Sequence, residues 1–142
     1  GYECVGYITV TGSKCHELQS GDRVVMAEVG SFRSLTRSDK SRVLKILDNV
    51  TSDDASAIAG VGITAYYSLV ELAHLQENER VLIHAGAGET GQMANQMAQI
   101  VGAEVFATVG SLEKKRTLLE DFGVPSKHIF YSRHIMFAAS VM

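Results

Sequence analysis

The stretch Arg80–Ser111, RVLIHAGAGETGQMANQMAQIVGAEVFATVGS, reads in order as a strand, a glycine-rich turn, a helix and a second strand. Val81, Leu82, Ile83 and Ala85 make a nearly unbroken apolar run, as expected of a parallel strand covered on both faces. Gly86, Gly88 and Gly91 follow with G-x-G-x-x-G spacing. That spacing lets the chain turn tightly, lets its backbone approach a pyrophosphate, and lets a helix start close against a sheet. Ala94, Met97, Ala98 and Val101 then recur at i, i+3, i+4 and i+7, one face of an α-helix, and Gly102 stands where a left-handed C-terminal cap is wanted. Glu104–Val109 alternates and is rich in strand formers, which completes a β-α-β unit. The free N–H groups and positive end of such a helix attract phosphate. The unit therefore predicts nucleotide binding, the alternative being a β-α-β whose glycines serve only the turn.

The end of the second strand bears on which nucleotide. Sites that prefer NAD place an Asp or Glu about 20 residues on, to bond the ribose 2′-hydroxyl. Here that region holds Gly110 and Ser111, followed by Lys114, Lys115 and Arg116. A hydroxyl and a group of cations suit a 2′-phosphate, so the sequence favours NADP over NAD. Ser111 can equally cap a helix with Glu113 in its first turn, and both roles can hold at once.

Working outward, the 142-residue chain is about one domain long, with a formal net charge of −3 and a pI near 5.9. An acidic balance argues against nucleic acid or a membrane surface as partner. The sequence suggests no apolar run of the ~18 residues needed to span a bilayer. A cytoplasmic enzyme is the expectation. Cys4 and Cys15 lack metal or redox spacing and are expected to be reduced thiols near strands.

Residues 1–50 read as all-β, with strands at Cys4–Thr11, Arg23–Ala27 and Val43–Leu47 and turns at Gly12-Ser13 and Ser20-Gly21-Asp22. From residue 51 onward, helix and strand alternate. Ser52 is the expected N-cap of an apolar helix running through Ala73, with Gly60 and Gly62 expected to break or kink it. Pro125 marks the turn before a third strand, His128–Tyr131. His84 reads as a hydrogen-bonded core residue rather than a catalyst.

Six blocks together resemble the enoyl reductase domains of fungal highly reducing polyketide synthases, within the medium-chain, quinone-oxidoreductase-like reductases. They are GYECVG at Gly1, LQSGDRV at Leu18, TAYYSLVELAHLQ at Thr64, RVLIHAGAGETGQ at Arg80, GAEVFATVGSLEKKR at Gly102 and HIFYSR at His128. The resemblance implies an α/β chain: residues 1–50 as the C-terminal part of a GroES-like substrate domain, and residues 51–142 as the N-terminal half of a Rossmann-type doubly wound parallel sheet. It implies NADPH as cofactor and an enoyl thioester on an acyl carrier domain as substrate, reduced by hydride transfer to the β-carbon. It also allows a homodimer of the parent synthase. Thr64 would lie near the nicotinamide, Gly86, Ala87, Gly88, Thr90, Gly91 and Gln92 would cradle the diphosphate, and Ser111, Lys114 and Arg133 would serve the adenosine end. The Lys and Asp proposed as proton donors in the family lie beyond the matched blocks, so no catalytic residue is assigned.

Departures from the family pattern sharpen this reading. Zinc alcohol dehydrogenases of the same superfamily carry G-H-E where this chain has Gly1-Tyr2-Glu3, so no metal is expected. Family members extend past both ends of the matched blocks, and a central strand left as an apolar edge would make 142 residues marginal alone. Glu89 stands where the family usually has a small residue. At about 6 Å and an effective dielectric of about 20, its repulsion of a diphosphate reaches about 3 kcal/mol before screening, which predicts weakened NADPH binding. Asn95 in a mostly apolar helix, and His134 where relatives show Asp, suggest relaxed constraint. A free-standing quinone or alkenal reductase and a non-catalytic remnant are the competing readings.

Overall fold

A computed structural model describes residues 1–133. It divides into two compact units, Gly1–Gly60 and a second beginning at Val61. The first holds an antiparallel three-stranded sheet, β1 (Glu3–Tyr7), β2 (Arg23–Ala27) and β3 (Val43–Lys45), in that order. The second holds a parallel three-stranded sheet, β4 (Arg80–Ile83), β5 (Glu104–Val109) and β6 (Ile129–Tyr131), with β5 central. The architecture is the GroES-like region and partial Rossmann sheet expected of the sequence.

In the antiparallel sheet, Val5 pairs with Val25 and Val25 with Leu44. Apolar burial here is sparse, led by Val24 and Ile46. Polar anchors add to the ladder: Lys45 Nζ lies 2.6 Å from Asp22 Oδ1, and Arg23 Nη2 donates to the carbonyls of Leu47 (3.0 Å) and Val50 (2.7 Å). The Lys45 ammonium, and then the Gln19 N–H, hold the Asp22 carboxyl below its ordinary pKa. Cys4 and Cys15 are unbridged.

Helix α1 (Ser52–Tyr66) starts at the residue expected to cap it, so its cap lies one residue earlier. Thr51, not Ser52, caps it, with Thr51 Oγ1 accepting from the Asp54 N–H at 3.1 Å. The expected break at Gly60 and Gly62 does not occur, and the helix continues through both. Gly60 has another use: its N–H donates to Glu3 Oε2 at 2.5 Å, and a Cβ there would stand 2.6 Å from the same oxygen. The change in winding comes later, as a π-helical turn over Tyr67–Leu72. Five-residue spacing aligns on one side of a π turn, and the Tyr66 hydroxyl there bonds the Glu71 carboxylate, which raises the phenol's pKa. The helical stretch Ser52–Leu72 is 21 residues long and contains an 18-residue window with a mean hydropathy of 1.3. By length and composition alone it reaches the lower limit of a membrane span, which corrects the expectation that no such run exists.

The core lies in the second unit. Ile83 of β4, Val105, Ala107 and Val109 of β5, and Ile129 of β6 pack with Ala94 and Ala98 of helix α2 (Glu89–Val101) and Leu118 of helix α3 (Leu112–Glu120). The predicted helix ends hold: Gly102 caps α2 at φ 88°, and Ser111 Oγ caps α3 by accepting from the Lys114 N–H at 3.3 Å. The strand expected at His128–Tyr131 begins at Ile129, His128 closing a short 3-10 turn.

Candidate functional site

Strands β4, β5 and β6 run parallel, so their carboxyl ends share one edge of the sheet, where open α/β sheets bind ligands. The glycine turn leaves β4 at that edge. Gly88 is the N-cap of α2, and the first bond inside the helix runs from the Gln92 N–H to the Gly88 carbonyl. The N–H groups of Glu89, Thr90 and Gly91 therefore have no intrahelical partner. They border a hollow of about 380 Å³ lined by Ile83, His84, Ala85, Gly88, Glu89, Thr90, Gly91 and Ala94.

The glycines have distinct jobs. A Cβ on Gly91 would collide with the Ala85 carbonyl oxygen and the backbone of Gly86. A Cβ on Gly86 would lie 2.8 Å from the Ala107 Cβ and 3.1 Å from Leu118 Cδ1, so this glycine is buried packing rather than lining. At Gly88 the nearest atom would be the Ala85 oxygen at 3.2 Å, on the side facing the hollow. Between strand and turn, Ala85 has φ 52°, a left-handed conformation that an L-residue adopts at a cost of about 1–2 kcal/mol. Thr108 on β5 holds it there. Its Oγ1 accepts from the Ala85 N–H (3.1 Å) and its carbonyl accepts from the Gly86 N–H (2.9 Å).

Of the residues singled out from sequence, Gly88, Thr90 and Gly91 line the hollow, whereas Gly86, Ala87 and Gln92 shape it from behind. Gln92 Nε2 is tied to the Ala87 carbonyl at 3.0 Å. Ser111 and Lys114 sit at the carboxyl end of β5, and Arg133 lies two residues past β6, all exposed. Thr64 is on α1, outside the residues lining the hollow. The cation group after Ser111 is smaller than the sequence suggests. Lys115 Nζ turns to the carbonyl of Ser126 (3.1 Å) and stands 5.8 Å from the Tyr131 ring centroid, and Arg116 pairs with Glu120 at 3.8 Å. Lys114 enters no ion pair among the described residues and is the cation available to a ligand.

His84 is exposed and lies past the end of β4, which corrects its reading as a core residue; its Nδ1 is 3.2 Å from Thr108 Oγ1. Asn95 is the residue sequence reasoning misjudged. It is fully buried and its Nδ2 donates to the Gly86 carbonyl at 2.9 Å, so it belongs to the turn's architecture rather than marking relaxed constraint. His134 lies outside the described residues. Among the described residues, no three His, Cys, Asp or Glu side chains gather as a metal site.

Comparison with known proteins gives this geometry relatives. No family model matches the chain. It is 42% identical over 142 residues to the highly reducing polyketide synthase ZEA2 of Gibberella zeae, and 38% over 142 residues to the reducing polyketide synthase FUB1 of Gibberella fujikuroi, all of this chain in each case. It spans about 6% of the length of those curated relatives. Among solved structures, the CurK enoyl reductase superposes at a TM-score of 0.90 with 36% identity, over 100% of this chain and 42% of that one. The quinone oxidoreductase of Escherichia coli, solved with NADPH, superposes at 0.83 with 27% identity, over 94% and 41%. The chain is a homologue of fungal highly reducing polyketide synthases, with the fold of enoyl reductases and quinone oxidoreductases. In that fold the β4-to-α2 turn is the element that the G-x-G-x-x-G predicts to meet phosphate.

Proposed function

We propose that this chain forms the nucleotide-binding portion, and part of the substrate domain, of an NADPH-dependent enoyl reductase acting on α,β-unsaturated acyl thioesters carried by an acyl carrier domain. The observation that carries the reading is the trio of N–H groups on Glu89, Thr90 and Gly91, opening onto a hollow that a Cβ on Gly91 could not leave intact. A diphosphate fits such a cradle, because it accepts hydrogen bonds from several amides at once and is attracted to the positive helix end. Residues 1–50 would contribute to the acyl side and residues 51–142 to the cofactor side.

In this reading Gly88, Thr90 and Gly91 hold the diphosphate by backbone contact, while Gly86, Ala87 and Gln92 set the shape of the turn. Ser111 and Lys114 take the 2′-phosphate and Arg133 the adenosine end, the remaining cations being engaged elsewhere. Thr64 serves the nicotinamide end. Bound NADPH supplies a hydride to the β-carbon of the enoyl group; the chain's own part is to orient the cofactor. Homology with synthases and identity with the CurK enoyl reductase favour a thioester over a quinone as acceptor. No metal enters the scheme: Tyr2 offers a phenol where the zinc enzymes have an imidazole ligand.

Glu89 complicates the site. Its carboxylate stands at the first position of α2 and lines the same hollow, where it competes with a phosphate for the helix end. Binding is accordingly expected to be weak for this fold. The test is cofactor oxidation by the protein at its gene-encoded length, given an enoyl-pantetheine thioester beside a small quinone. Thioester-dependent loss of NADPH supports the proposal; quinone-dependent loss alone replaces it with the quinone reductase reading. NADPH binding without turnover of either supports the non-catalytic reading.

A further inference from the structure

Asn95 lies on the face of α2 that meets the sheet, among Gly91, Ala94 and Ala98, with no exposed surface. Its Nδ2 reaches the Gly86 carbonyl at 2.9 Å, while its Oδ1 is buried with no hydrogen-bond partner among the described residues. The amide's orientation is fixed by that carbonyl, since the reverse would set two acceptor oxygens face to face. An apolar side chain of similar volume would remove the orphaned Oδ1, but it would leave the Gly86 carbonyl without this donor.

The rest of the turn explains why that matters. The N–H groups of Ala85 and Gly86 are pinned to Thr108 on β5, and the Gly88 N–H donates to the Ala85 carbonyl at 2.8 Å. Those bonds fix one side of a turn that contains a left-handed alanine. Asn95 fixes the other side, from the helix whose N-terminus the turn delivers. Strained backbone persists only where its surroundings over-determine it.

We infer that Asn95 is a positioning residue: by holding the Gly86 carbonyl it keeps the glycine turn in the conformation that aims the N–H groups of Glu89, Thr90 and Gly91 at a phosphate-bearing ligand. The ligand part rests on the nucleotide reading above; the hold on the turn does not. Two variants test it in the protein at its gene-encoded length, Asn95→Leu and Asn95→Asp, each read by backbone amide exchange and by titration with NADP⁺. Asn95→Leu is expected to exchange the Ala85, Gly86 and Gly88 amides about tenfold faster, and to bind NADP⁺ about tenfold more weakly. In Asn95→Asp, a protonated carboxyl can donate to the Gly86 carbonyl and an ionised one cannot. Its exchange rates, divided by those of wild type at the same pH, should approach one at about pH 5 and rise about tenfold at about pH 8.

Wild-type exchange of the turn in Asn95→Leu overturns the inference. If that variant does not fold, a flat pH ratio for Asn95→Asp does so instead. A loosened turn with unchanged NADP⁺ affinity also overturns it, because position would then not matter to the ligand. A wild-type protein that ignores NADP⁺, beside an Asn95→Leu turn that still loosens, sinks the nucleotide reading and leaves the hold of Asn95 on the turn standing.

Discussion

The two sheets of this chain are built on opposite principles. The parallel sheet is buried: Val105, Ala107 and Val109 of β5 are each no more than 5% exposed, packed among Ala98, Leu118 and Val124. The antiparallel sheet is thinly covered, with Leu44 of β3, Tyr7 of β1 and Phe32 in the loop after β2 all open to solvent. Its order rests on ladder bonds and on polar anchors such as Lys45 to Asp22. A buried sheet can hold a backbone turn to within tenths of an ångström because every neighbour is fixed. A ladder with polar anchors tolerates more change, and depends on charge. The proposed chemistry of the cofactor follows the first of these, since the site is made of backbone.

The sharpest way to break that contrast is Gly91→Ala. The new Cβ meets two backbone segments rather than a movable side chain, so the turn must open. The expected result is loss of NADPH binding by about 100-fold or more and destabilisation of about 2–3 kcal/mol, read by titration and by urea unfolding. Unchanged binding would mean that the turn's shape is not the determinant.

Next in size is Glu89→Gly. Removing the carboxylate beside the helix end should tighten NADPH binding about tenfold or more, with the gain largest at low salt. Equal dissociation constants for the two proteins would end the idea that this carboxylate competes with phosphate. Lys114→Ala should weaken NADPH by about tenfold and leave NADH unaffected, a loss of about 1.4 kcal/mol confined to the 2′-phosphate. Equal losses for both nucleotides would move Lys114 away from that role.

The smallest expected effect concerns the other sheet. The folded-state pKa of Asp22 is depressed, so folding favours its carboxylate. The stability it contributes is complete above the ordinary carboxylate pKa and is lost as pH falls toward the folded value. Asp22→Asn should therefore narrow the gap between urea midpoints measured at pH 7 and at pH 3, chiefly by lowering the first. An unchanged gap would remove this anchor from the account.

Much of the parallel half was legible in the sequence because its signals are local. An apolar run, glycines at fixed spacing, a glycine at φ 88° and a serine before α3 each act within a few residues. What could not be read was set by distant parts. Gly60 looks like a helix breaker, yet its lack of a side chain makes room for Glu3, 57 residues away. Asn95 looks out of place by helical periodicity until the Gly86 carbonyl stands beside it. His84 reads as interior only if β4 continues, and the strand ends at Ile83. The π turn at Tyr67–Leu72 keeps an apolar pattern compatible with an ordinary helix, so nothing in the pattern marks it. Lys115 and Arg116 join a cation group by spacing alone, and lose that role once Ser126 and Glu120 are in place.

The central claim is that the backbone amides following Gly88 take up a diphosphate. Amide proton and nitrogen resonances of the isotopically labelled protein, followed as NADPH is added, test it most directly. The account predicts saturable shifts that are largest at Glu89, Thr90 and Gly91, with smaller ones at Ser111 and Lys114. Saturable binding that leaves Glu89, Thr90 and Gly91 unmoved, or no response of these amides to NADPH at any concentration, would contradict it.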